Sequence, residues 1–241
     1  MSFKKFKHLS IGFLLAAFIG TVSATEAPRK EAVEKNSIGS VIDSKGVISF
    51  EFSGIESRPI VSAFMTWVKE TKGDIMISPP GRKEAEYFQK MYLDDDGNLS
   101  LISENLNADM GMISLGLDPW GPQCSNVFYV LRTTSEDPIV RGLDEAKGAS
   151  TLAFTYSGCL YKFVFVVADR MSTIEELNTV MVHELGHVWG LDDNELGKES
   201  IMNGSYNDMS ECITKRDMKE LYKKRHASDK LRPEIGCTPK D

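Results

Sequence analysis

The sequence predicts an α+β domain, on three observations. An apolar stripe at helical spacing over 60–68 leads straight into a short apolar run at 74–78. Two strand-like runs, 150–156 and 160–168, flank a three-residue turn and feed directly into a second amphipathic helix. A capping signal at Thr214 opens a last helix. With 241 residues, 41% of them hydrophobic and 26% charged, the chain can bury one sizeable core, which points to one domain.

Residues 1–24 stand apart from the fold. Lys4, Lys5 and Lys7 make a basic start, 11–20 is almost wholly apolar, and Val22-Ser23-Ala24 has the small-x-small form of a cleavage site. The apolar run is shorter than the roughly 18–20 residues that span a bilayer, so a signal peptide cleaved after Ala24 is expected. Its removal takes three lysines with it and moves the formal charge from −7 to −10. So acidic a chain offers no electrostatic footprint for nucleic acid, nor for an anionic membrane once the signal is gone. The expected location is secreted or periplasmic. Residues 25–45 are polar and read as a flexible N-terminal segment, leaving 46–241 for the domain.

The strand 46–53 alternates Val47, Ser49 and Glu51 against Ile48, Phe50 and Phe52. Pro59 then sits in the first turn of a helix whose stripe is Ile60, Ala63, Phe64, Trp67 and Val68 and which ends near Gly73. Residues 74–78 follow as a short buried strand, stopped by Pro79-Pro80-Gly81. Residues 82–147 are the least readable. Asp94-Asp95-Asp96-Gly97-Asn98 has the wrong residues around it for a calcium loop and reads as a solvated turn. Residues 117–123 read as loop and 127–131 as a short strand. After the hairpin, Ser172 with Glu175 forms a capping box, and Ile174, Leu177, Val180, Met181, Leu185 and Val188 give the helix its apolar positions. Thr214 with Asp217 forms another. Cys124, Cys159, Cys212 and Cys237 include no C-x-x-C pair, and an even count in an exported chain favours disulfides. Three pairings are open; local stapling favours Cys124–Cys159 with Cys212–Cys237.

The chemistry lies on the helix after the hairpin, at His183-Glu184-Leu185-Gly186-His187. Residues four apart share a helix face, so both imidazoles can reach one ion. Catalytic zinc takes three protein ligands and keeps one position for water, and a Glu beside the first ligand can take that water's proton. A chance H-E-x-x-H is expected in about one chain in a hundred of this length. Gly190, three residues after His187, can end the helix at positive φ and turn Asp193 back toward the same ion. Of the other histidines, His8 leaves with the signal peptide and His226 stands among charged residues as a solvated position. The economical ligand set is His183, His187 and Asp193, with Glu184 as general base.

His183-Glu184-x-x-His187-x-x-Gly190-x-x-Asp193 resembles the extended zinc signature of the metzincin metallopeptidases, in its snapalysin-type form with Asp as third ligand. Ser200-Ile201-Met202-Asn203 resembles that family's Met-turn, an apolar floor beneath the metal. A helix with a central Trp followed by Asp74-Ile75-Met76-Ile77, and a last helix with Asp217 and Leu221-Tyr222, are similar to the opening and the end of matrixin catalytic domains. The cysteine-switch propeptide has no counterpart, and Tyr206 lies four residues past Met202 where astacin-like enzymes place a tyrosine two past. The resemblance implies a mixed twisted sheet with an active-site helix and a small C-terminal helical subdomain. It also implies a monomeric zinc endopeptidase acting on protein or peptide, with residues 150–156 as the edge strand along which substrate extends. The alternative is a zinc-bearing binding protein on the same scaffold without turnover, against which the intact Glu184 speaks.

Overall fold

The computed structural model describes residues 42–48, 52, 55–79, 86, 118–121, 124–194, 200–209, 212–231 and 235–237. Residues 1–24, read above as a signal peptide, the acidic run 94–98, read as a solvated turn, and most of 82–117 lie outside them. In chain order the regular elements are β1 (Ile42–Ile48), α1 (Ser57–Glu70), β2 (Ile75–Ser78), β3 (Val127–Thr133), α2 (Pro138–Lys147), β4 (Ala153–Ser157), β5 (Lys162–Val167), α3 (Ile174–Val188) and α4 (Lys215–Lys224).

Side-chain alternation accounts for the sheet. Along β3 and β5, Phe128, Val130, Val164 and Val166 face one side, and Tyr129, Leu131, Phe163 and Phe165 the other, where they pack with Phe154 and Tyr156. Strands buried on both faces belong inside a sheet, and the order is β2-β1-β3-β5-β4. Four strands run parallel and β4 pairs antiparallel with β5 through the expected hairpin. A mostly parallel sheet needs helical crossovers, and α1 supplies the one between β1 and β2. The fold is therefore a mixed α/β arrangement rather than a segregated α+β one.

The first strand lies earlier than expected and takes in residues 42–45 of the segment read as flexible. Its inward positions are Ile42, Ser44 and Gly46, two of which carry no apolar signal. Both are explained by their neighbours. Ser44 Oγ accepts from Trp189 Nε1 at 2.9 Å, and a Cβ on Gly46 would lie 2.8 Å from the Phe128 ring and 3.0 Å from that of Phe64. Nor is β2 buried throughout. It is an edge strand of the described sheet, with Met76 47% exposed.

The sheet face that carries α1 and α3 holds the main core. Trp67 is fully buried, donates from Nε1 to the Val182 carbonyl at 2.9 Å and meets the Trp189 ring edge-on at 4.9 Å. A buried indole N–H needs such a partner, so Trp67 fixes α1 against the middle of α3. The α3 cap is one residue later than read: Thr173 Oγ1 accepts from the Glu176 amide at 3.0 Å, and Glu176 Oε2 accepts from that of Ser172 at 2.6 Å. Helix α2 ends the least readable stretch of the sequence, although its signals are local: an Asp137 cap, Pro138 at the first position and Gly148 in the left-handed region at φ 65°. Arg170 grips Asp144 of α2 bidentately, at 2.6 and 3.1 Å, and donates to the Thr151 carbonyl, pinning the approach to β4. That guanidinium holds the Asp144 carboxyl well below the usual carboxylate range.

Cysteines pair as local stapling favoured. Cys124–Cys159 ties the entry of β3 to the β4–β5 turn, and Cys212–Cys237 ties the entry of α4 to the C-terminal segment. Helix α4 carries the expected Thr214–Asp217 capping box. Among the described residues no helix is long and apolar enough to cross a membrane.

Candidate metal centre

Helical geometry places His183 and His187 one turn apart on α3, and the turn after the helix brings in the third group. Gly190 has φ 106°, which an L side chain rarely adopts, and the Leu191 amide closes back on the Gly186 carbonyl at 2.9 Å. Trp120 and Lys224 pack against that glycine so closely that a Cβ would sit 3.0–3.2 Å from them. The reversal delivers Asp193 to the two histidines. Its Oδ1 lies 3.3 Å from His183 Nε2 and 3.2 Å from His187 Nε2, and the two Nε2 atoms are 3.0 Å apart.

Each imidazole is oriented through its other nitrogen. His183 Nδ1 is 2.8 Å from the Ile201 carbonyl, and His187 Nδ1 is 2.7 Å from that of Leu191. A carbonyl can only accept, so each Nδ1 carries the proton and each neutral ring turns a bare lone pair at Nε2 toward its neighbour. Two lone pairs and a carboxylate oxygen this close repel unless a cation or a proton lies among them. Without a metal, a proton on His187 can take that place. Burial pulls the His187 imidazole down, but the hydrogen bond to Asp193, the Glu184 and Asp193 charges and the Leu191 carbonyl together push it up to about 9. The two imidazoles beside it, His183 first, hold the Asp193 carboxyl far below its usual range.

The donor set also fits a metal. Four ligands at about 2.0–2.1 Å around a tetrahedral ion lie about 3.3 Å apart, close to the observed edges. Two imidazoles and a carboxylate suit zinc among the biological divalent ions. The carbonyls on Nδ1 are the outer-shell partners that ligating histidines require. His183 is buried, while the Asp193 side chain is 40% exposed, so one side of the group opens to solvent.

Met202 and Glu184 complete the centre. Met202 is buried, with Sδ against Gly186: a Cβ there would lie 2.3 Å from it. The Asn194 amide donates to the Met202 carbonyl at 2.6 Å, joining the Asp193 turn to the Met202 turn. Ser200 Oγ donates to Asp217, whose other oxygen accepts from Thr214 at the start of α4. The capping box therefore also anchors the Met202 turn. Glu184 is buried, and Thr155 Oγ1 on β4 donates to its Oε2 at 2.6 Å.

The structure thus brings His183, His187, Asp193, Glu184, Gly190 and Met202 together. Asp192 turns away and pairs with Lys224 at 3.2 Å. His226 is exposed, at φ 52°, and takes no part. Sequence reasoning missed Thr155, the Ile201 and Leu191 carbonyls, and the Ser200–Asp217 anchor. Thr155 had a faint signal, as a small polar residue alternating with Phe154 and Tyr156.

No protein-family model and no curated protein matches the chain. Among solved structures it is similar to archaemetzincin from Methanopyrus kandleri, at 19% identity and a TM-score of 0.41, over 76% of this chain and 94% of that one. The functional reading stands on the side chains of the centre.

Proposed function

We propose that the chain is an exported zinc-dependent endopeptidase in which His183, His187 and Asp193 hold the ion and Glu184 is the general base. One observation carries it: two histidines locked with Nε2 facing inward and a carboxylate within 3.3 Å of both. Such a cluster is expensive to fold with neither a proton nor a metal in it, and it matches the three-ligand, open-sided form of a hydrolytic site. Zinc, when bound, would acidify water and polarise a carbonyl.

The residues supply the rest. Glu184 takes the proton of the attacking water as the new C–O bond forms, then returns it to the leaving amine as the peptide C–N bond breaks. Strand β4 is the edge of the described sheet and is packed on α3, so an extended peptide adding to its free side would run past the centre. The paired cysteines suit an oxidising compartment, in keeping with export.

The test is metal analysis and peptide hydrolysis on the mature protein, with Glu184→Gln beside it. Expected are one zinc per chain in both proteins and a loss of about 10²–10⁴-fold in hydrolysis for the variant. Substoichiometric zinc after gentle purification, or a variant within tenfold of wild type, overturns the reading. The first removes the metal; the second places the base elsewhere.

A further inference from the structure

We infer that Thr155 is the positioning residue for Glu184, holding the base from the edge strand rather than from its own helix. The inference rests on the proposed role of Glu184. The Glu184 side chain has three torsions to fix, and among the described residues no neighbour on α3 hydrogen-bonds its carboxylate. Here the fixing group lies 29 residues away in sequence: Thr155 Oγ1 donates to Glu184 Oε2 at 2.6 Å.

The strand is built to hold that contact. Residues 153, 155 and 157 share the face of β4 toward α3, while Phe154 stacks on Phe165 and Tyr156 packs toward Phe163 on the opposite face. Thr155 is registered against Val164, a fully buried residue of the interior strand β5. Two residues on, Ser157 Oγ donates to the His187 carbonyl at 3.3 Å, so consecutive inward side chains of β4 stitch to consecutive turns of α3. A β-branched side chain on a paired strand has a stiff χ1, which makes the hydroxyl a fixed donor.

Thr155 Oγ1 also lies 3.2 Å from the Glu184 carbonyl oxygen. A hydroxyl has one proton, and the shorter, charge-assisted contact to the carboxylate takes it. Among the described residues Glu184 Oε1 has no hydrogen-bond partner, which leaves that oxygen to receive the water's proton. The division of labour is clear: Oε2 is anchored and Oε1 works. Positioning of this kind acts on the rate rather than on substrate affinity, because the hydroxyl points at α3 and not out along the free edge where a peptide would pair.

The experiment compares wild type with Thr155→Val, Thr155→Ser, Glu184→Gln and Glu184→Ala. Thr155→Val keeps the shape and removes the hydroxyl; its expected kcat is about 10- to 100-fold down, with KM within about threefold and zinc content unchanged. Thr155→Ser, which restores the donor, should recover most of the rate. A second readout needs no activity: thermal unfolding of the metal-free proteins. Thr155→Val should lower Tm measurably in wild type and hardly at all once Glu184→Ala has removed the acceptor. A Thr155→Val kcat equal to wild type while Glu184→Gln is inactive overturns the inference and leaves the function standing. An equal Tm loss in both backgrounds also overturns it, because the hydroxyl would then serve the helix carbonyl. An active Glu184→Gln instead removes the function on which the inference rests.

Discussion

Gly186→Ala sets two magnitudes against each other. Alanine is the better helix former by about 0.8–1.0 kcal/mol, and Gly186 lies inside α3, so propensity alone predicts stabilisation. Packing predicts the reverse. The new Cβ would sit 2.3 Å from Met202 Sδ, 3.0 Å from its Cε and 3.4 Å from a Leu191 methyl. Ordinary contact between such atoms is about 3.5–4.0 Å, so the sulfur must retreat by more than about 1 Å. A thioether is adaptable, but Met202 is 1% exposed and Leu191 5%, and overpacking of an enclosed side chain costs about 1–3 kcal/mol. Overpacking wins.

The expected net effect is a loss of about 1 kcal/mol or somewhat more, or a few degrees in Tm for a domain of this size. Zinc affinity should fall about tenfold, because the displaced turn carries the Ile201 carbonyl that orients His183. Thermal unfolding of the metal-free protein and a chelator-competition zinc titration measure the two quantities. A double-mutant cycle supplies the control. With Met202→Ala in place the clash is gone, and Gly186→Ala should stabilise by about 0.5–1 kcal/mol. A Gly186→Ala variant at least as stable as wild type, or one equally damaged in the Met202→Ala background, would refute the argument that the methionine floor excludes a side chain there.

Further outcomes are expected at the proposed ligands. Asp193→Ala should weaken zinc binding at least a hundredfold and abolish hydrolysis; Asp192→Ala removes only a surface pair with Lys224, worth under about 1 kcal/mol, and zinc titrations should hardly register it. Zinc binding should also depend on pH. With the metal-free His187 imidazole raised to about 9, zinc must displace its proton, so apparent affinity should drop about tenfold per pH unit as pH falls below 9. Titration calorimetry in buffers of different ionisation enthalpy should find about one proton released near pH 7, and none released would contradict this account. The raised imidazole stabilises the metal-free fold fully below the unfolded value of about 6.5, and that contribution is lost as pH rises toward 9. Chelator-treated protein should therefore melt progressively lower across that window.

Much of this centre was legible in the sequence because its parts are local. A helix puts i and i+4 on one face, so His183 and His187 follow from spacing, and Gly190 predicts the reversal that makes Asp193 available. The capping box at Thr214, the hairpin and the stripe of α1 follow from periods of two to four residues in the same way. What spans the sequence did not show itself. Ser44 reads as part of a flexible segment and Gly46 as a strand start without a side chain, until Trp189 and Phe128, 145 and 82 positions on, are seen to need the room. Asp217 reads as a cap, and only packing reveals that its second oxygen also secures the Met202 turn. Thr155 is only one polar residue in the run 150–156, with little local to mark it. Tertiary structure gives it a partner, because β4 packs on α3 and turns that side chain inward to Glu184. A sequence records which atoms its local geometry brings together; a hydrogen bond between a strand and a distant helix exists only once the sheet has chosen its order.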